Sequence, residues 1–165
     1  MIALPNTNTS INAEADGATE NETLTSSYAI RNVKTRKCVR PYRARTHTEN
    51  PVILYPRHKW KCITWTFIPV EEHAYRLRNL YTEKTFQPQY VPAPKTPMWQ
   101  QPLAEESGPV WEFLRQPDGQ YEIRLQGTDL YLTISSESTN TPIVVDSHRG
   151  TSDQRWELIE QHPRH

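Results

Sequence analysis

The chain has 165 residues, a length that suits one domain able to bury roughly 70% of its unfolded surface. Its 19 basic and 19 acidic side chains cancel, which argues against nucleic acid or an anionic membrane as an obligatory partner. No apolar run approaches the roughly 20 residues that a membrane-spanning helix needs, and two cysteines are too few for a disulfide scaffold.

Residues 1–27 come first in the chain. They hold Glu14, Asp16, Glu20 and Glu22, no Lys or Arg, and little that is large and apolar beyond Leu4. Such a segment cannot bury enough surface to offset its chain entropy, so it reads as a disordered acidic arm. Its opening, MIALPNTNTS, lacks the basic start and long apolar stretch of a secretory signal. The expected location is cytoplasmic, with non-classical secretion as the other route, and Cys38 and Cys62 are expected to be reduced. The sequons headed by Asn8 and Asn21 would then go unused.

From Tyr28 the texture changes to short β-rich pieces: YAIRNV, PVILY, TWTFIPV, YRLRNL, YEIRL, LYLTI and PIVVD, separated by Pro, Gly, Asn, Asp and Ser. This pattern predicts an all-β domain of many short strands. No apolar spacing of three and four is sustained, so long helices are not expected.

The pieces recur. Tyr28, Tyr75 and Tyr121 open three units; Thr35, Thr82 and Thr128 follow seven residues later, and Val39, Phe86 and Leu132 eleven residues later. Pro51, Pro97 and Pro142 each stand 14 residues before Trp65, Trp111 and Trp156. Three repeats of about 46 residues result, 28–74, 75–120 and 121–160, followed by a tail at 161–165. Each offers roughly four strands, and one unit alone would leave open edges and a half-covered apolar face. Three can close a barrel around an approximate threefold axis, with the three tryptophans as core and the last strand, QRWELIE, closing against the first.

Three such units, each ending in Trp-x-Phe or Trp-x-Leu, with Gln154 two residues before the last Trp, resemble the ricin-B-type (QxW) β-trefoil lectins, and the missing signal is similar to intracellular fungal members. The resemblance covers residues 28–160 and implies a β-trefoil that binds sugar without catalysis or cofactor. In that family a pocket in each unit combines an acidic residue, an aromatic platform and an Asn-Gln pair. The matching positions here hold Arg40, Gln87 and Thr133 for the acid, and Tyr55, Gln101 and Asp146 for the platform. The pair positions hold Cys62-Ile63, Gly108-Pro109 and Asp153-Gln154, so no unit keeps the full set.

The resemblance therefore implies degenerate pockets, with Arg40, Tyr55, Asp153 and Gln154 as carbohydrate-binding candidates. LYPRHKWKC adds His58 and Trp60 beside Tyr55, in a lobe where residues 28–74 carry ten basic and three acidic side chains. Arg forks and aromatic faces suit sulfated, sialylated or phosphorylated sugars, so glycans or glycoproteins are the expected partners. The alternative is a protease inhibitor or another protein-binding trefoil. It rests on the proline-rich FQPQYVPAPKTPMWQQP, read as a stiff projecting loop with Tyr90 and Trp99 as anchors. The six histidines show no zinc-site spacing and the five glycines form no phosphate loop, so neither an enzyme nor a metal or cofactor is expected.

Overall fold

A computed structural model describes residues 23–104 and 106–165. Twelve strands follow in four-strand sets. The first repeat holds β1 (Ser27–Asn32), β2 (Lys37–Pro41), β3 (Val52–Pro56) and β4 (Thr64–Glu71). The second holds β5 (Ala74–Asn79), β6 (Lys84–Pro88), β7 (Thr96–Pro102) and β8 (Trp111–Arg115). The third holds β9 (Tyr121–Leu125), β10 (Leu130–Ile134), β11 (Ile143–Ser147) and β12 (Trp156–Glu160). The only helical pieces among the described residues are three single turns of 3-10 type, at Tyr42–Ala44, Lys61–Ile63 and Ser152–Gln154.

The outer strands of each set close a six-stranded antiparallel barrel: β1 pairs with β4, β4 with β5, β5 with β8, β8 with β9, β9 with β12, and β12 back with β1. Closure removes the unpaired edges that a single repeat would carry. The period seen in the sequence is a ladder register. Tyr28, Tyr75 and Tyr121 each stand opposite the tryptophan of their own repeat, Trp65, Trp111 and Trp156. Each tryptophan then pairs on its other side with Asn79, Leu125 and Asn32 of the next repeat.

The three indoles are at most 1% exposed. With Phe67, Phe113 and Tyr75 they fill the barrel, the Phe67 and Phe113 rings lying 4.8 Å apart. Trp65 and Trp156 donate their Nε1–H to the Val39 and Leu132 carbonyls, whereas Trp111 Nε1 is buried with no partner among the described residues. The inner hairpins β2–β3, β6–β7 and β10–β11 form a cap. Its symmetry is carried by the prolines: Pro51 faces Trp99, Pro97 faces Val144 and Pro142 faces Ile53, each two residues past the proline of another repeat.

The turns repeat too. Asn32 Oδ1 accepts the backbone N–H of Lys34 and Thr35, and Asn79 Oδ1 those of Tyr81 and Thr82. The third repeat has Leu125 there, and Gly127, at φ +86°, makes the turn without the side-chain anchor.

Three boundaries differ from those expected. Residues 1–22 of the arm lie outside the described residues, but its end is attached to the barrel, because Leu24 packs on the core and donates its N–H to the Tyr75 hydroxyl. The tail is docked: Gln161 is buried and bonds the Thr64 hydroxyl at 2.7 Å, and the His165 carbonyl accepts from Lys61 N–H. The proline-rich stretch is mostly strands β6 and β7, so only its middle, residues 89–95, projects.

Candidate functional site

The cap hairpins place the family-pattern positions in equivalent registers. Cys38 pairs with Tyr55, Thr85 with Gln101 and Tyr131 with Asp146. Arg40, Gln87 and Thr133 therefore occupy one position in three hairpins, and Tyr55, Gln101 and Asp146 another. What occupies them differs in chemistry.

In the first repeat Arg40 and Tyr55 come together on the β2–β3 hairpin. The guanidinium lies 3.7 Å from the centre of the Tyr55 ring, a cation–π contact that covers one face of the expected platform. His58 and Trp60, on the connection after β3, stack on each other at 4.0 Å and 11°, while their rings stand 6.1 and 6.4 Å from Tyr55. The Lys61–Ile63 turn holds this connection, and Thr64 Oγ1 bonds the Trp60 carbonyl at 2.8 Å.

Trp60, 39% exposed, forms one wall of a cleft of about 150 Å³; Tyr81, 53% exposed, Ala44, Cys62 and His165 complete it. Sequence reasoning missed Tyr81, Ala44 and His165. The cleft lies between repeats, and a pattern sought within one repeat does not see it. The register was available as a signal, since Tyr81 is the counterpart of Lys34, six residues after the opening tyrosine.

Cations flank two of the lining residues in the chain, Arg43 and Arg45 beside Ala44 and Lys59 and Lys61 beside Trp60. Arg43, Arg45 and Lys59 are exposed, and among the described residues neither these nor Lys61 belongs to an ion pair. Arg43 and Arg45 lie over the Tyr42 ring at 5.3 Å each. Cys62 and Cys38 are free and buried. Burial pushes the Cys62 thiol up despite the nearby Arg40 charge, and pushes Cys38 up to about 12. Neither is a thiolate poised for attack.

In the third repeat the same positions are occupied by their own loop. Arg149 reaches Asp146 Oδ2 at 2.9 Å and Asp153 Oδ2 at 2.7 Å, bridging the platform and pair positions. Gln154 is fully buried. Its Nε2 donates to Thr133 Oγ1 and the Ser147 carbonyl, and its Oε1 accepts from the Arg149 and Gly150 backbone N–H. Burial raises the Asp153 carboxyl, but hydrogen bonds from Thr151 and Arg149 outweigh it and leave the group below its ordinary value. Lys34 and Glu137, the counterparts of Tyr81 and Ala44, meet in an ion pair at 3.4 Å.

In the second repeat Gly108 and Pro109 replace the 3-10 turn that precedes the tryptophan elsewhere. Gly108 has φ +105° and open space where a Cβ would point. The result is a wider cleft of about 400 Å³, with Gln87, Tyr90, Pro109, Gln126 and Thr128 in its lining. Tyr90 is 71% and Val91 86% exposed. Trp99 does not join them: it sits in β7 between Gln87 and Pro51, half-buried with its Nε1 enclosed. It is therefore part of the cap and no loop anchor. No group of three or more His, Cys, Asp or Glu that could hold a metal ion occurs among the described residues.

No protein-family model matches the sequence, and no curated protein matches it. Solved structures do match in fold. A designed threefold-symmetric protein, ThreeFoil, superposes with a TM-score of 0.77 at 18% identity, over 81% of this chain and 98% of its own. The Rhizoctonia solani agglutinin gives 0.75 at 14% identity, over 85% and 98%. A Macrolepiota procera ricin B-like lectin, solved with lactose, gives 0.70 at 20% identity, over 84% and 98%. With the closed barrel and the threefold registers, these likenesses establish the fold: the chain is a β-trefoil.

Proposed function

We propose that this β-trefoil is a non-catalytic, lectin-like protein that binds carbohydrate at the cleft between its first and second repeats, with a preference for acidic glycans. The observation that carries the reading is the pair of exposed rings, Trp60 and Tyr81, lining one cleft whose neighbours in the chain are cations outside any ion pair among the described residues. Aromatic faces take the C–H surface of a pyranose, and Arg forks take its anionic substituents. The likeness to the agglutinin and to the lactose-bound lectin supports the same class. The third repeat, filled by Arg149, contributes structure, so Asp153 and Gln154 are assigned to holding the loop.

A glycan array at low and high salt tests this. Selective signal that disappears in Trp60→Ala and weakens in Tyr55→Ala supports the reading. Binding that lacks glycan selectivity and falls steeply with salt would instead indicate a polyanion such as nucleic acid. A protein-binding reading is favoured by one observation, the exposure of Tyr90 and Val91 on the 89–95 connection. A blank array together with protease inhibition that Tyr90→Ala abolishes would put it in first place.

A further inference from the structure

Arg40 carries a charge that no other described residue neutralises. It is 8% exposed, its Nε has no hydrogen-bond partner, and no carboxylate pairs with it among the described residues. A guanidinium cannot shed its proton to escape burial, and a charge removed from water is unfavourable unless paired. What it does touch is soft: the Tyr55 ring, which packs in one small apolar cluster with Cys62. Cys62 is also a wall of the cleft between Trp60 and Tyr81. The charge thus lies behind the Tyr55 ring, which stands 6.4 Å from the Trp60 wall of that cleft. The equivalent positions elsewhere are uncharged, Gln87 and Thr133, and Thr133 Oγ1 is satisfied by the Tyr131 carbonyl and Gln154.

We infer that Arg40 is the anion-reading residue of this cleft, which takes a sugar bearing a sulfate, carboxylate or phosphate group and seats that group against the guanidinium. The inference rests on the carbohydrate-binding reading and adds to it the residue that selects the acidic group. Where the family pattern has a carboxylate accepting from sugar hydroxyls, this chain has a donor fork, so the polarity of recognition is inverted. Trp60 and Tyr81 hold the ring of the sugar, and Arg43, Arg45 and Lys59 raise the local concentration of anions.

A residue retained for packing weakens the fold when replaced. A buried unpaired charge does the opposite, since an apolar side chain of similar length is neutral or stabilising in its place. The full chain and its Arg40→Met variant are titrated calorimetrically with galactose 6-sulfate, galactose and inorganic sulfate, and their urea midpoints are compared. The wild type is expected to bind the sulfate ester at least about 10-fold more tightly than galactose, as one charge-assisted hydrogen bond implies. Arg40→Met is expected to erase that difference without lowering the midpoint. Should Arg40→Met fail to fold, Arg40→Lys keeps the charge but loses the fork, and is expected to weaken the ester alone by several-fold.

A preference that survives Arg40→Met would overturn the inference and leave the carbohydrate reading intact. Equal wild-type affinity for the two sugars would overturn the inference and the acidic preference while leaving carbohydrate binding in place. Inorganic sulfate bound as tightly as the ester would uphold the anion site and remove the sugar. Binding of neither sugar nor sulfate, with a blank glycan array, would remove both.

Discussion

The first and third repeats share one frame and use it oppositely. In the third, every charged group at the pocket positions has a partner within its own or the adjoining loop: Arg149 with Asp146 and Asp153, and Lys34 with Glu137 across the junction of repeats. In the first, among the described residues, Arg40 has no carboxylate partner, two rings are exposed, and the cations Arg43, Arg45 and Lys59 belong to no ion pair. The barrel beneath cannot account for the contrast, because Trp65 and Trp156 are buried alike and make the same indole-to-carbonyl bond. A repeat whose polar groups are satisfied internally serves structure, and one that leaves them unsatisfied is available to a ligand.

The comparison breaks most visibly if the shared frame is not shared. Trp65→Ala and Trp156→Ala should each destabilise the chain by about 3–5 kcal/mol, and by similar amounts, in urea unfolding. A tolerant first repeat would show that the lobes are not equivalent. Replacement by Phe sharpens the point: Trp111→Phe should cost about 1 kcal/mol less than Trp65→Phe, because Trp111 Nε1 has no hydrogen bond to lose among the described residues.

Next in size is the clamp of the third repeat. Arg149→Ala leaves Asp146 and Asp153 facing each other and should destabilise by about 1 kcal/mol, a value held down by the half-exposed guanidinium. The sign with pH follows from the lowered Asp153 carboxyl. Its contribution is present above the ordinary value of 3.8 and is lost as pH falls through the lower folded value. Asp153→Asn should therefore flatten the acid end of the stability profile, measured as urea midpoint between about pH 2 and 5.

The exposed cleft comes next. Trp60→Ala and Tyr81→Ala should change stability by less than about 0.5 kcal/mol, as surface substitutions do, while lowering glycan affinity about 10-fold. The smallest effect concerns the thiols: at pH 8 an alkylating reagent should modify Cys62, 8% exposed, before the fully buried Cys38, whose thiol burial pushes up to about 12. Mass spectrometry of the labelled peptides reads the order.

Much of the frame was legible in the sequence. The 46-residue period is physical, since each Tyr pairs with its Trp and each Pro pairs with a strand of another repeat; spacing alone carried the barrel, while the cap of inner hairpins was not read from it. The site was legible only in part. Trp60, singled out at a strand end, lines the cleft while His58 only stacks on it, and Tyr81 and His165 reach the cleft from another repeat and from residue 165. Trp99 was misplaced because prolines suggested a loop where the cap tolerates them as strand residues. Nor did the sequence show Arg40 lying over Tyr55, which depends on a diagonal contact between hairpin positions. Arg149 escaped for a similar reason. Its clamp spans three and four residues in a glycine-containing loop, where only the turn geometry brings the groups together.

The most direct measurement follows the five indole N–H resonances by NMR while galactose 6-sulfate is added. The account predicts that Trp60 shifts and saturates while Trp65, Trp111 and Trp156 stay in place. A silent Trp60 at saturating ester, or a shift confined to Trp99 or the buried three, would contradict it.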